Sequence, residues 1–126
     1  MWPLSCRSIA FSGEEPQPVR QARAFAHWIS TASPLAERTA DIDLVIGELV
    51  LNAIQHGGGA IDVTAHQDQT GLVFEVRDAE PKPPEESGFG LLLVAGLASA
   101  WGHRTAPGGN GKIVWARFDA PGQAIP

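Results

Sequence analysis

The sequence holds a single cysteine, Cys6, so no disulfide can form within the chain, and a reducing compartment is the expected setting. It has no long apolar run. The longest uncharged stretch, SGFGLLLVAGLASAWGH, carries four glycines and falls short of a membrane span. The opening MWPLSCRSIAFSG has no clear signal core, because Arg7 interrupts it. Basic charge is scarce: 9 Lys and Arg face 14 Asp and Glu, and the net charge of −5 argues against a broad nucleic-acid footprint. There is no GxSxG nucleophile, so HGGG (56–59), though similar to an esterase oxyanion strand, has no serine to serve. His27, His56, His66 and His103 lack metal-ligand spacing, and each is expected to be structural or on the surface. No internal repeat is present.

What is present reads as globular. Hydrophobic residues make up 44% of the chain and charged residues 18%, which is too apolar for a disordered segment. The length of 126 residues suits one compact domain, with its core expected at about 7–119 and both ends frayed. Trp28, Trp101 and Trp115 are expected in the core. A soluble, cytoplasmic protein is the overall expectation.

Periodicity sets the elements. RSIAFSG (7–13) alternates as a first strand, and residues 14–30 carry apolar positions at Val19, Ala22, Phe25, Ala26 and Ile29, which is helical spacing. A second helix follows Ser33-Pro34 and runs to the HGGG stop, with Ile42, Val45, Ile46, Leu49, Val50, Ala53 and Ile54 as its apolar stripe. AIDVTAHQ (60–67) and GLVFEVRD (71–78) alternate at period two and read as a hairpin. A polar, proline-rich loop, AEPKPPEES (79–87), precedes a glycine-led helix over 88–101. WGHRTA and GKIVWARF close the chain as two strands joined by PGGNG. The order β-α-α-β-β-loop-α-β-β predicts an α+β two-layer sandwich, a mainly antiparallel mixed sheet covered on one face by three helices.

Three features could carry chemistry. Glu48 and Asn52 stand one helical turn apart in ELVLNAIQHG and so share a face. A carboxylate beside an amide oxygen can serve a hydrated Mg²⁺, or orient a water or hydroxyl; it can equally be a solvated helix edge. Asp78 ends the strand FEVRD on the face of Leu72, Phe74 and Val76, where an unpaired carboxylate is costly, so a partner is required. It could accept a hydrogen bond from an exocyclic amine, or act only as a turn former. SGFGLLLV places glycines before an apolar helix, where free N–H groups can meet an anion. GGNGK before a strand is a poor phosphate loop, since Ala106 and Ile113 replace the residues such a loop needs.

In this order the motifs resemble the GHKL ATPase superfamily (gyrase, heat-shock chaperone, histidine-kinase and mismatch-repair ATPases). ELVLNAIQHG resembles its N box, VRD the start of its G1 box and GFGLLLV its G2 box. The short chain, with VRQARAF early and GLLLVAGLASAWG late, looks most like the stand-alone anti-sigma-factor serine kinases. The resemblance implies a Bergerat-type ATP-binding fold with ATP and Mg²⁺ as cofactors. It implies Glu48 as general base and Asn52 as Mg²⁺ ligand. Ala53 would line the adenine pocket, and Asp78 would bind the adenine amine as the partner it needs. Gly88, Phe89 and Gly90 would form the strap over the phosphates, with Leu91 starting the helix behind them.

The sequence departs from the family pattern at the lid. The G1 box, usually DxGxG, is Asp78-Ala79-Glu80-Pro81-Lys82, and Phe89 replaces the basic residue often found between the G2 glycines. The threonine that usually reaches the adenine site is expected to be replaced by Ile113. With Glu80, Glu85 and Glu86 against Lys82 alone, the pocket mouth is expected to be negative and to repel phosphates.

Two readings follow. One is an ATP-dependent protein serine kinase of anti-sigma type. It would phosphorylate a STAS-type antagonist, hold a sigma factor and form a homodimer, with no direct contact to nucleic acid or membrane. The alternative is a degenerate binding module of the same fold, with weak or no nucleotide binding.

Overall fold

The computed structural model describes residues 5–12, 16–57, 59–84 and 89–121. Five strands form one sheet: β1 (Ser5–Phe11), β2 (Ile61–Gln67), β3 (Gly71–Asp78), β4 (Ala100–Thr105) and β5 (Lys112–Asp119). Their spatial order is β1-β2-β3-β5-β4, and all four pairings are antiparallel. Three helices, α1 (Pro18–Thr31), α2 (Thr39–His56) and α3 (Phe89–Leu97), pack on one face. The chain is thus an α+β two-layer fold with an open antiparallel sheet.

Local chemistry accounts for the boundaries. Pro18 opens α1, where its missing N–H costs nothing. Past the end of α1, Ser33 Oγ donates to Ser30 O at 2.7 Å and accepts from Leu35 N at 3.0 Å. A short 3₁₀ turn, Ala36–Arg38, then leads into α2, which therefore starts later than Ser33-Pro34 suggested. The third helix stops at Leu97, short of residue 101, because Ala100 and Trp101 join β4 beside β5.

The core lies between α2 and the sheet. Ile42, Val45, Ile46, Leu49, Val50 and Ala53 meet Val63, Leu72, Phe74, Val76 and Phe118, and Phe74 and Phe118 pack edge to face at 6.4 Å. Their burial is the main stabilising term, at about 25 cal/mol per Å² of apolar surface removed from water. Ile54 was expected in this stripe but is exposed, on the outward side of α2 with Leu44 and Leu51. Trp28 is also a correction: it is 59% exposed on α1, with Arg7 stacked over its ring at 6.0 Å. Trp115 is half-buried against Gly102 on the uncovered face, and Trp101 packs at the edge of the core.

Two charged clusters fix the periphery. Arg38 donates to Leu97 O at 2.7 Å and to Asp41, and its guanidinium lies over Phe118. One cation thereby anchors the carbonyl end of α3, where positive charge is favoured. At the β2–β3 turn, Asp68 accepts from Thr70 N, Thr70 Oγ1 and Gly71 N and meets Arg117. Burial acts to raise the Asp68 pKa, but the Thr70, Arg117 and Gly71 hydrogen bonds outweigh it and hold it well below the ordinary value.

Candidate functional site

Glu48 and Asn52 sit half-buried on α2, where the helix carries them to the same face. The start of α3 comes directly against the first of them. A methyl group built on Gly90 would lie 2.7 Å from Glu48 Oε2, so the absence of a side chain at 90 lets the helix N-terminus approach the carboxylate. The structure thus brings together Glu48, Gly90 and the first turn of α3, all singled out from sequence. Leu91 is 4% exposed and anchors that turn in the core. Phe89 is the first residue of α3, but its side chain, like Gly88, lies outside the described residues.

The second centre lies at the other end of α2. Asp78 is buried at 2% exposure on the helix-covered face of β3, as its alternation with Leu72, Phe74 and Val76 requires. Its partner is Lys112, itself 3% exposed. Lys112 Nζ lies 3.0 Å from Asp78 Oδ2 and 3.1 Å from Oδ1, and it donates at 3.3 Å to Glu80 O. Glu80 N donates to Asp78 Oδ1 at 2.9 Å. The partner demanded by burial is therefore within the chain, where a ligand amine was expected.

Glycines make this arrangement possible. A methyl on Gly57 would fall 2.4 Å from Asp78 Cγ, so the end of α2 rests directly on the carboxylate. Gly111 adopts φ +142°, open to glycine alone, and lies so close to Asp78 O that no side chain fits. The GGNG turn therefore sets the strand register that delivers Lys112. Within that register Lys112 pairs with Asp78, while Ile113 pairs with Arg77 and lies on the opposite face. Ile113 was expected to stand where a threonine usually reaches the adenine site; the residue paired with Asp78 is Lys112. Period two along β5 was the signal that could have found it, since Lys112 shares a face with the buried Val114, Ala116 and Phe118.

A cleft of about 400 Å³ opens above this pair, lined by His56, Glu80, Lys82, Pro83, Pro84 and Lys112. Its described walls carry Glu80, Lys82 and Lys112, the last contributed by β5 and paired to Asp78; the expectation of a negative mouth also rested on Glu85 and Glu86, which lie outside the described residues. Ala53, expected to line a base pocket, is 2% exposed in the core and holds the end of α2 by accepting from Gly57 N at 2.8 Å. Asp78 does not reach the cleft wall either.

The arrangement has two ends along one helix, nine residues from Glu48 to Gly57, or roughly 13 Å at 1.5 Å per residue. One end offers a carboxylate and an amide beside a helix N-terminus; the other offers a cleft over a buried ion pair. Among the described residues no cluster of three or more His, Cys, Asp or Glu is placed to hold a metal ion, so a cation here would depend on few protein ligands and retain water.

An open antiparallel sheet under three helices, with this Glu/Asn helix and glycine-led α3, defines a nucleotide-binding module of GHKL ATPase type. The family model of the histidine kinase-like ATPase domain matches residues 14–118, and the chain belongs to that family. No curated protein matches the chain. Among the described residues no helix is long and apolar enough to cross a membrane.

Proposed function

We propose that this chain is an ATP- and Mg²⁺-dependent protein serine kinase of anti-sigma type, phosphorylating a STAS-type antagonist in the cytoplasm. The observation that carries this reading is the placement of Glu48 against Gly90 at the N-terminus of α3, with Asn52 one turn along α2. In this reading Glu48 orients the acceptor hydroxyl and takes up its proton as the new O–P bond forms and ADP leaves. Asn52 would hold a hydrated Mg²⁺ through its amide oxygen, and the free N–H groups at the start of α3 would receive the phosphates. Sigma-factor binding and a homodimer belong to the same proposal.

A second reading, a partner-binding module with weak nucleotide affinity, is favoured by one observation. Asp78 is engaged by Lys112, so the base end of the cleft does not fit an adenine amine as it stands.

Calorimetric titration with ATP and Mg²⁺ separates the two. Saturable binding lost in Asn52→Ala, with phosphoryl transfer to a STAS protein lost in Glu48→Ala, supports the kinase. Partner capture that persists without any nucleotide binding supports the module.

A further inference from the structure

A ligand entering the cleft meets the Lys112 ammonium before it can meet the Asp78 carboxylate. Lys112 lines the cleft and Asp78 does not. The three protons of Lys112 Nζ face three acceptors: both oxygens of Asp78 and the carbonyl of Glu80. Asp78 Oδ1 accepts a second bond from Glu80 N, and Gly57 closes the carboxylate from above. An amine reaching for Asp78 must displace an ion-paired lysine that is itself buried, leaving one charge or the other without the partner that offsets its desolvation.

We infer that Lys112 is the specificity-determining residue of the base end: it withholds Asp78 from an exocyclic amine, so the cleft accepts purine nucleoside triphosphates without preferring adenine over a 6-oxopurine. The inference rests on the nucleotide reading above. A carboxylate floor attracts an amine and repels a keto oxygen, whereas an ammonium whose three protons are already engaged offers neither a vacant acceptor to the amine nor a free donor to the keto oxygen.

The test is calorimetric titration of the full chain with Mg-ATP and with Mg-ITP, whose base carries oxygen in place of the amine, for wild type and Lys112→Thr. The two nucleotides are expected to bind wild type within about threefold of one another, roughly half of the 1.4 kcal/mol that a tenfold difference represents. In Lys112→Thr, ATP is expected to bind tighter than ITP by about tenfold or more, the scale of one hydrogen bond to a charged group. Wild type preferring ATP by that same factor overturns the inference, because Asp78 then reads the amine despite Lys112, while the nucleotide reading stands. An unchanged ratio in folded Lys112→Thr overturns it as well. Should that variant fail to fold, the wild-type ratio decides alone. Absence of binding by folded wild type and folded variant overturns both the inference and the nucleotide reading.

Discussion

Lys112 and Asp78 face each other across neighbouring strands as a buried ion pair, with the ammonium 3.0 Å from one carboxylate oxygen and 3.1 Å from the other. Removing one member leaves an uncompensated charge beneath α2. Lys112→Met is expected to destabilise the fold by about 3–5 kcal/mol, read from urea unfolding. The double variant Asp78→Asn with Lys112→Met removes both charges and is expected to recover most of that loss. A single variant as stable as wild type would mean that the charges are not paired in solution.

Gly57→Ala tests the contact from the other side. The added methyl has Asp78 Cγ at 2.4 Å and Ala53 O at 2.6 Å, so strand or helix end must shift. The expected cost is about 1–3 kcal/mol, the range for overpacking, and it should appear as a lowered thermal midpoint.

Gly90→Ala meets only the far end of the Glu48 side chain, which can swing away. Helix propensity favours Ala over Gly by up to about 1 kcal/mol, so stability is expected to hold or rise. Phosphoryl transfer, by contrast, is expected to fall about tenfold or more, because a general base acts only when positioned. Full kcat with a displaced Glu48 would remove Glu48 from the proposed mechanism.

Asp68 gives a pH prediction. Its pKa is depressed in the folded state: burial works against this, but hydrogen bonds from Thr70, Arg117 and Gly71 prevail. A depressed carboxyl contributes stability that is fully present above its unfolded value, about 3.9, and is lost as pH falls toward the folded value. Asp68→Asn is therefore expected to lower stability at neutral pH and to flatten the loss of stability below about pH 4, where the ordinary carboxyl titrates. Parallel acid profiles for variant and wild type would contradict this.

Much of the fold was legible because periodicity is a local property. The alternation of Leu72, Phe74, Val76 and Asp78 and the stripe from Ile42 to Ala53 each report burial within one element, and both are correct. The Glu48–Asn52 pair was legible for the same reason, since one helix carries both. Lys112 was not: its alternation with Val114, Ala116 and Phe118 gives its face, but its pairing with Asp78 arises from register between strands separated by 33 residues. Trp28 shows another limit, as an aromatic at an amphipathic boundary can be held from outside by Arg7.

The sheet order β1-β2-β3-β5-β4 has a consequence for synthesis. The strand made last of the five is not at an edge; it is inserted between two made earlier. As the chain emerges from the ribosome, β1 to β3 and their helices can associate first. Until β5 arrives, Asp78 has no counter-ion, β4 has no neighbour and the cleft has no floor. The cleft is therefore complete only once β5 docks, and an interrupted chain ending before Lys112 would lack it.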